Sequence, residues 1–199
     1  PADLAAVLTA LEAGIPELPT LDTETVAVVG HSAGAGTASS LADADPRIDA
    51  AVLMAGPPGL TRQLPLLLLD GSCDGIVPET SVAPAFSTLG FGTRVRFEGA
   101  GHLAFSDLCD LEFGRLADEI LAPRDDVNSA LLGQLVALGT DGCPGGMVTV
   151  PECGDEFMPL EVSTPVVRAA VTTFLDSALL NTGGGVGADY GSGIEVTGD

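Results

Sequence analysis

Val26-Ala27-Val28-Val29-Gly30-His31-Ser32-Ala33-Gly34 is the stretch whose reading decides the fold of this chain. Its four leading apolar residues do not alternate with polar ones, which is the pattern of a strand buried on both faces. The run ends in Gly-x-Ser-x-Gly, and the small residues Ala33–Ala38 beyond it suit a helix packed close against that strand. A tight strand-to-helix turn of this kind strains the backbone of its central residue and lifts that side chain clear of the sheet. The steric reading makes Gly30 and Gly34 both necessary, because side chains there would collide across the turn. Ser32 becomes a candidate nucleophile, and the N–H of Ala33 at the helix start becomes a candidate donor to an oxyanion.

Working outward, Leu4, Leu8 and Leu11 recur at helical spacing, with Gly14 where a C-terminal cap belongs and Pro16 and Pro19 breaking the chain. Downstream, three more apolar runs read as buried strands: Ala50–Met54 ending at Gly56-Pro57-Pro58, Pro65–Leu69 ending at Asp70-Gly71, and Arg94–Phe97 ending at Gly99-Ala100-Gly101. Strands separated by helix-sized intervals and closed by Gly- or Pro-rich turns indicate an α/β fold, a parallel sheet with helices on both faces. In such sheets chemistry gathers beyond the carboxyl ends of the strands. Phe105–Leu121 predicts a helix started by Ser106 or Asp107. Arg124–Ser163 is irregular, and Ser163-Thr164-Pro165 predicts the start of a last helix whose buried face is Val167, Val171, Phe174 and Ala178. The domain is expected over residues 1–180, followed by a glycine-rich acidic tail, 181–199, that is mobile across Gly183–Gly193.

A serine hydroxyl needs a base, nearly always an imidazole. The chain has two histidines. His31 adjoins Ser32, points away along the turn and reads as a packing residue. His102 follows the fourth strand, and Gly99-Ala100-Gly101 supplies a loop able to swing its ring over the strand end. The acid that orients it is Asp74, beyond the third strand; Asp70, closer to that strand, is the rival. Asp107 and Asp110 read as cap and surface charges on the next helix. Chain order is then Ser, Asp, His.

With these residues assembled, the sequence resembles the α/β-hydrolase superfamily, from about Leu4 to Leu180. Within it, the chain is similar to the branch of dienelactone-hydrolase-like proteins, platelet-activating-factor acetylhydrolases, chlorophyllases and polyester hydrolases. The resemblance is carried by Gly30-His31-Ser32-Ala33-Gly34, Gly71-x-x-Asp74-x-x-x-Pro78, Gly101-His102-Leu103-Ala104-Phe105-Ser106-Asp107 and the late helix Ala170–Leu180. It implies cleavage of small-molecule or polymeric carboxylic esters through an acyl-enzyme, with no metal and no organic cofactor. It also implies a C-terminal portion of the fold, since family members carry early strands and a further oxyanion-donor loop ahead of the turn. Such a portion leaves Val26–Val29 as an apolar edge open to self-association. The insertion at about 124–163 reads either as a lid, with Phe157 and Met158 facing substrate, or as a surface elaboration. The alternative to a hydrolase is a non-catalytic or incomplete chain that keeps the fold for binding or assembly.

Composition narrows the field. Seven Arg and no Lys stand against 28 Asp and Glu in 199 residues, a net charge of −21 that opposes binding to nucleic acid phosphates. Neutral esters, lipids or polymers fit such a field better than anionic substrates, and the same excess suits a high-salt habitat. Hydrophobic residues at 46% allow a substantial core. No apolar run approaches the ~18 residues of a membrane span. Four cysteines without Cys-x-x-Cys spacing, and only two histidines, make a zinc site improbable. Their even number fits two disulfides in a secreted or periplasmic protein, with reduced core thiols as the alternative. Proximity in sequence favours Cys143 with Cys153 and Cys73 with Cys109. The chain opens at Pro1 without a charged-then-apolar leader, so any targeting peptide is expected to have been removed or to lie outside this sequence.

Overall fold

The structure is a computed structural model that describes residues 1–16, 19–107, 143, 157–187 and 189–198. Helix α1 spans Ala2–Ala13, and Gly14 ends it by returning its N–H to the Leu11 carbonyl, as the leucine spacing predicts. Strand β1 is Ala27–His31, followed by α2 at Ala33–Ala44, β2 at Ala50–Met54, β3 at Leu66–Gly71, α3 at Glu79–Leu89 and β4 at Thr93–Phe97. A 3₁₀ turn covers His102–Phe105; helix α4 is Leu160–Leu180 and strand β5 is Ile194–Gly198. The sheet order is β1-β2-β3-β4-β5, with the first four strands parallel and β5 antiparallel to β4. This is the α/β fold, a mostly parallel sheet with helices, that the apolar runs predict.

Both faces of the sheet are buried, which is why the central strands lack alternation. Ala51, Leu53, Leu66 and Leu68 face one core with Leu8, Ala35, Ala38, Leu41 and Val82 from α1, α2 and α3. Their neighbours Ala50, Val52, Leu67 and Leu69 face the other, with Val95, Phe97 and, from α4, Ala170 and Phe174. Leu66–Leu69 are at most 1% exposed, and each buried leucine contributes about 1.5–3 kcal/mol of gross burial energy. The small residues of α2 let it sit directly on the sheet: a Cβ on Gly56 would strike the Cβ of Ala35. Among the described residues no helix is long and apolar enough to cross a membrane.

Three expectations are corrected. The last helix begins at Leu160 after Pro159, not at Ser163. Pro159 supplies the start, Pro165 lies within the helix, and the buried Ser163 hydroxyl donates instead to the Ala104 carbonyl at 2.9 Å. The segment after the glycines is not all tail: Ile194–Gly198 pairs along the whole of β4. Phe157 is buried, and Met158 packs against the α4-side core with its N–H on the Gly99 carbonyl. Phe105 closes the 3₁₀ turn and so lies outside the expected helix, while Ser106 is extended, the backbone a helix cap adopts. The rest of the helix expected to Leu121, and the rest of the insertion up to residue 156 apart from Cys143, lie outside the described residues.

The cysteine pairing also differs. Cys73 is bonded to Cys143, with Cα atoms 4.7 Å apart, so neither Cys143–Cys153 nor Cys73–Cys109 forms. Proximity in sequence fails here: Cys73 is buried on the loop after β3, with its N–H donating to the Ala100 carbonyl, and its partner stands 70 positions further along the chain. Cys109 and Cys153 lie outside the described residues.

Candidate active site

Ser32 joins β1 to α2 with φ 57° and ψ −123°, a backbone conformation that L-residues rarely adopt. Such strain costs about 1–3 kcal/mol and persists only where the surroundings fix it. Here the Ser32 N–H is bonded to the Met54 carbonyl, while its own carbonyl accepts from Ala35 and Gly36 in the first turn of α2. A Cβ on Gly30 would run into the Gly34 carbonyl, so glycine is demanded there. Gly34 itself faces open space, and the steric necessity expected of it is absent among the described residues. Ala33 opens α2, where the N–H of the first residue precedes any carbonyl one turn back and has no helical acceptor.

The three side chains singled out by sequence meet at this turn. His102 Nε2 lies 2.7 Å from the Ser32 hydroxyl, and His102 Nδ1 lies 2.8 Å from Asp74 Oδ2. His102 is 3% exposed and Asp74 1%, while Ser32 is half-buried, so of the three residues Ser32 alone keeps appreciable exposure. The other carboxylate oxygen, Asp74 Oδ1, accepts the N–H groups of Ile76 at 2.9 Å and Val77 at 2.6 Å. That fixes the carboxylate in plane and leaves Oδ2 for the imidazole. A carboxylate only accepts, so Nδ1 of His102 carries hydrogen and Nε2 presents its lone pair to the serine.

Asp70 does not compete for this place. Its two oxygens are taken by Arg94 of β4, with Nε on Oδ1 at 2.7 Å and one terminal nitrogen on Oδ2 at 2.5 Å. Burial pushes its carboxyl pKa up, and the Arg94 guanidinium offsets part of that rise. Arg94 and Arg96 both bridge to Glu79, so this network pins α3 to β3 and β4 on the side away from His102.

Sequence reasoning did not find the contacts that join the acid loop to the base loop. The Ser72 hydroxyl accepts the Gly99 N–H at 2.9 Å, and the Cys73 N–H donates to the Ala100 carbonyl at 3.0 Å. Gly71 is required because a Cβ there would meet that same Ala100 carbonyl. His31 was read as packing alone, yet its Nε2 lies 2.9 Å from the carbonyl oxygen of His102. Nothing in the sequence flags these contacts except the glycines that permit the close approach. Among the described residues, no group of three or more His, Cys, Asp and Glu side chains gathers where a metal ion could sit.

No protein-family model and no curated protein sequence matches the chain. Among solved structures, the fold is similar to that of a ferulic acid esterase from Streptomyces cinnamoneus, with a TM-score of 0.58 and 20% identity. That likeness is one of fold. It covers 90% of this chain and 47% of the esterase chain, so the protein described here spans about half the length of the structure it matches. It shows a shared α/β architecture and nothing finer.

Proposed function

We propose that the chain is a serine hydrolase of carboxylic esters. The observation that carries the reading is the continuous chain of hydrogen bonds from Ser32 through His102 to Asp74, at 2.7 and 2.8 Å. In this reading Ser32 attacks the ester carbonyl carbon while His102 Nε2 takes the hydroxyl proton. Asp74 holds the ring in the reactive tautomer and stabilises the imidazolium that forms. The Ala33 N–H, at the start of α2, donates to the oxyanion. Collapse of the tetrahedral intermediate returns the proton to the departing alcohol and leaves an acyl group on Ser32; water then repeats the sequence and releases the acid. No step draws on a cofactor.

The substrate is a neutral ester, small or polymeric, since a net charge of −21 repels anions at low salt. The polyester-hydrolase and related branch is the finer assignment, drawn from the sequence resemblance. A secreted or periplasmic location goes with it, supported by the Cys73–Cys143 bond. Among the described residues β1 is an edge strand, with Val29 47% exposed, and this edge is the surface for self-association. The test is hydrolysis of a short p-nitrophenyl ester by the chain and by Ser32→Ala. Turnover that disappears in the variant supports the reading; equal rates remove Ser32 from it. The second reading, a non-catalytic chain that keeps the fold for binding, draws on the 47% coverage of the esterase structure. Under it, neither protein turns the ester over.

A further inference from the structure

Two consecutive residues of the turn grip one residue of the base loop. The Ser32 hydroxyl meets the side chain of His102, and the ring of His31 meets its main chain, with Nε2 2.9 Å from the carbonyl oxygen. A carbonyl only accepts, so Nε2 of His31 carries the hydrogen and donates. The two imidazole centroids are 4.9 Å apart with ring planes tilted by 45°, so the rings are neighbours without stacking flat. His102 is approached through Gly99, whose φ is 76°, and Gly101, residues that give the loop freedom it must lose for the imidazole to stay in line.

We propose that His31 is a positioning residue for the base: its Nε2–H anchors the backbone of residue 102 and so holds the His102 ring in line with Ser32 and Asp74. This inference rests on the serine-hydrolase reading and goes beyond it, because that reading gives His31 no task. The acid side is anchored separately, by the Ile76 and Val77 N–H groups on Asp74 and by the Ser72 and Cys73 contacts to Gly99 and Ala100. The contact from His31 ties the main chain of the base loop to the strand that leads into the nucleophile. Burial pushes the His31 pKa below its ordinary value, and the His102 carbonyl offsets part of that fall. The anchor is therefore a neutral donor at neutral pH. It adds no second positive charge beside His102 when that ring takes the serine proton, as a protonated anchor would.

Two substitutions separate donation from packing. His31→Gln places an amide N–H near the position of Nε2, whereas His31→Phe keeps a ring of similar size with no donor. In p-nitrophenyl ester hydrolysis, His31→Phe is expected to lose about tenfold or more in kcat with KM changed by less than about twofold, the signature of misplacement rather than lost binding. His31→Gln is expected to restore kcat to within about threefold of the parent, the size of a hydrogen bond of ordinary strength. A His31→Phe rate within about twofold of the parent, or a His31→Gln variant as impaired as His31→Phe, overturns the proposal. A second readout needs no turnover. With only two histidines in the chain, the downfield proton on Nδ1 of His102 can be followed by NMR. It is expected to be sharp in the parent and in His31→Gln and broadened by exchange in His31→Phe. An unchanged, sharp signal in His31→Phe contradicts the anchor. If the parent itself fails to hydrolyse esters, the hydrolase reading falls, and the NMR comparison still decides the role of His31.

Discussion

Replacing Asp74 by Asn tests the imidazole orientation with almost no change of shape. The outcome follows from which oxygen is already committed. Oδ1 accepts two backbone N–H groups, from Ile76 at 2.9 Å and Val77 at 2.6 Å, and an amide NH₂ cannot occupy that position. The Asn side chain must therefore keep its oxygen there and place NH₂ where Oδ2 now lies, 2.8 Å from His102 Nδ1. Facing a donor, Nδ1 surrenders its hydrogen to Nε2, and Nε2–H then confronts the Ser32 hydroxyl with no lone pair to take its proton. A wrong tautomer of this kind costs on the order of 10⁴ in kcat, about 5 kcal/mol of barrier. Stability should barely change, since both backbone bonds to Oδ1 and the link to the ring persist in the new arrangement. The assay is kcat for a p-nitrophenyl ester beside a thermal melt. A variant that melts like the parent yet keeps kcat within about tenfold would refute the orienting role of Asp74.

Other expectations follow from particular contacts. The Cys73–Cys143 bond closes a loop of 70 residues, for which the chain-entropy estimate is about 4 kcal/mol, so the Cys73→Ser/Cys143→Ser double variant should lose stability of that order in urea unfolding; a loss under about 1 kcal/mol would contradict it. Asp45 is held at about 2 by hydrogen bonds from Arg47, and Asp43 is held below the usual carboxylate range by the N–H groups of Thr61 and Arg62. Both folded pKa values lie below the unfolded value of about 3.9, so their contribution is complete above that pH and is lost as pH falls below it, for Asp45 toward about 2. Plots of Tm against pH for Asp43→Asn and Asp45→Asn should accordingly have a flatter acid limb than the parent, and limbs of equal slope would contradict the assignment. Gly30→Ala should destabilise by about 1–3 kcal/mol through its collision with the Gly34 carbonyl, while Gly34→Ala, facing open space, should stay within about 1 kcal/mol of the parent in the same measurement.

How much was legible in the sequence depended on whether the signal was local. The four parallel strands were visible because burial on both faces writes an unbroken apolar run, and each run ended near a Gly or Pro. The serine turn was visible because Gly30 is forced by contact with residues four positions away. Choosing Asp74 over Asp70 was harder, since both come after the same apolar run, Pro65–Leu69. What separates them is the Arg94 side chain reaching Asp70 from the neighbouring strand, a consequence of register, with Leu68 beside Arg94 and Asp70 beside Arg96. The disulfide partner was beyond reach because Cys73 and Cys143 are brought together by the path of the chain, not by its spacing. Strand β5 had a signal, the alternation of Ile194 and Val196 with Glu195, but glycine-rich composition on its approach outweighed it. The start of α4 was misplaced because Ser163 had the look of a cap, whereas its hydroxyl serves Ala104 across the fold.

The central claim is that the Ser32 hydroxyl is activated by His102, and the most direct measurement is covalent labelling by a fluorophosphonate, which reacts only with such a serine. The account predicts one adduct per chain by intact mass, mapped to Ser32 by peptide sequencing and abolished in His102→Ala. A folded chain that takes up no label, or takes it up elsewhere than Ser32, would contradict it.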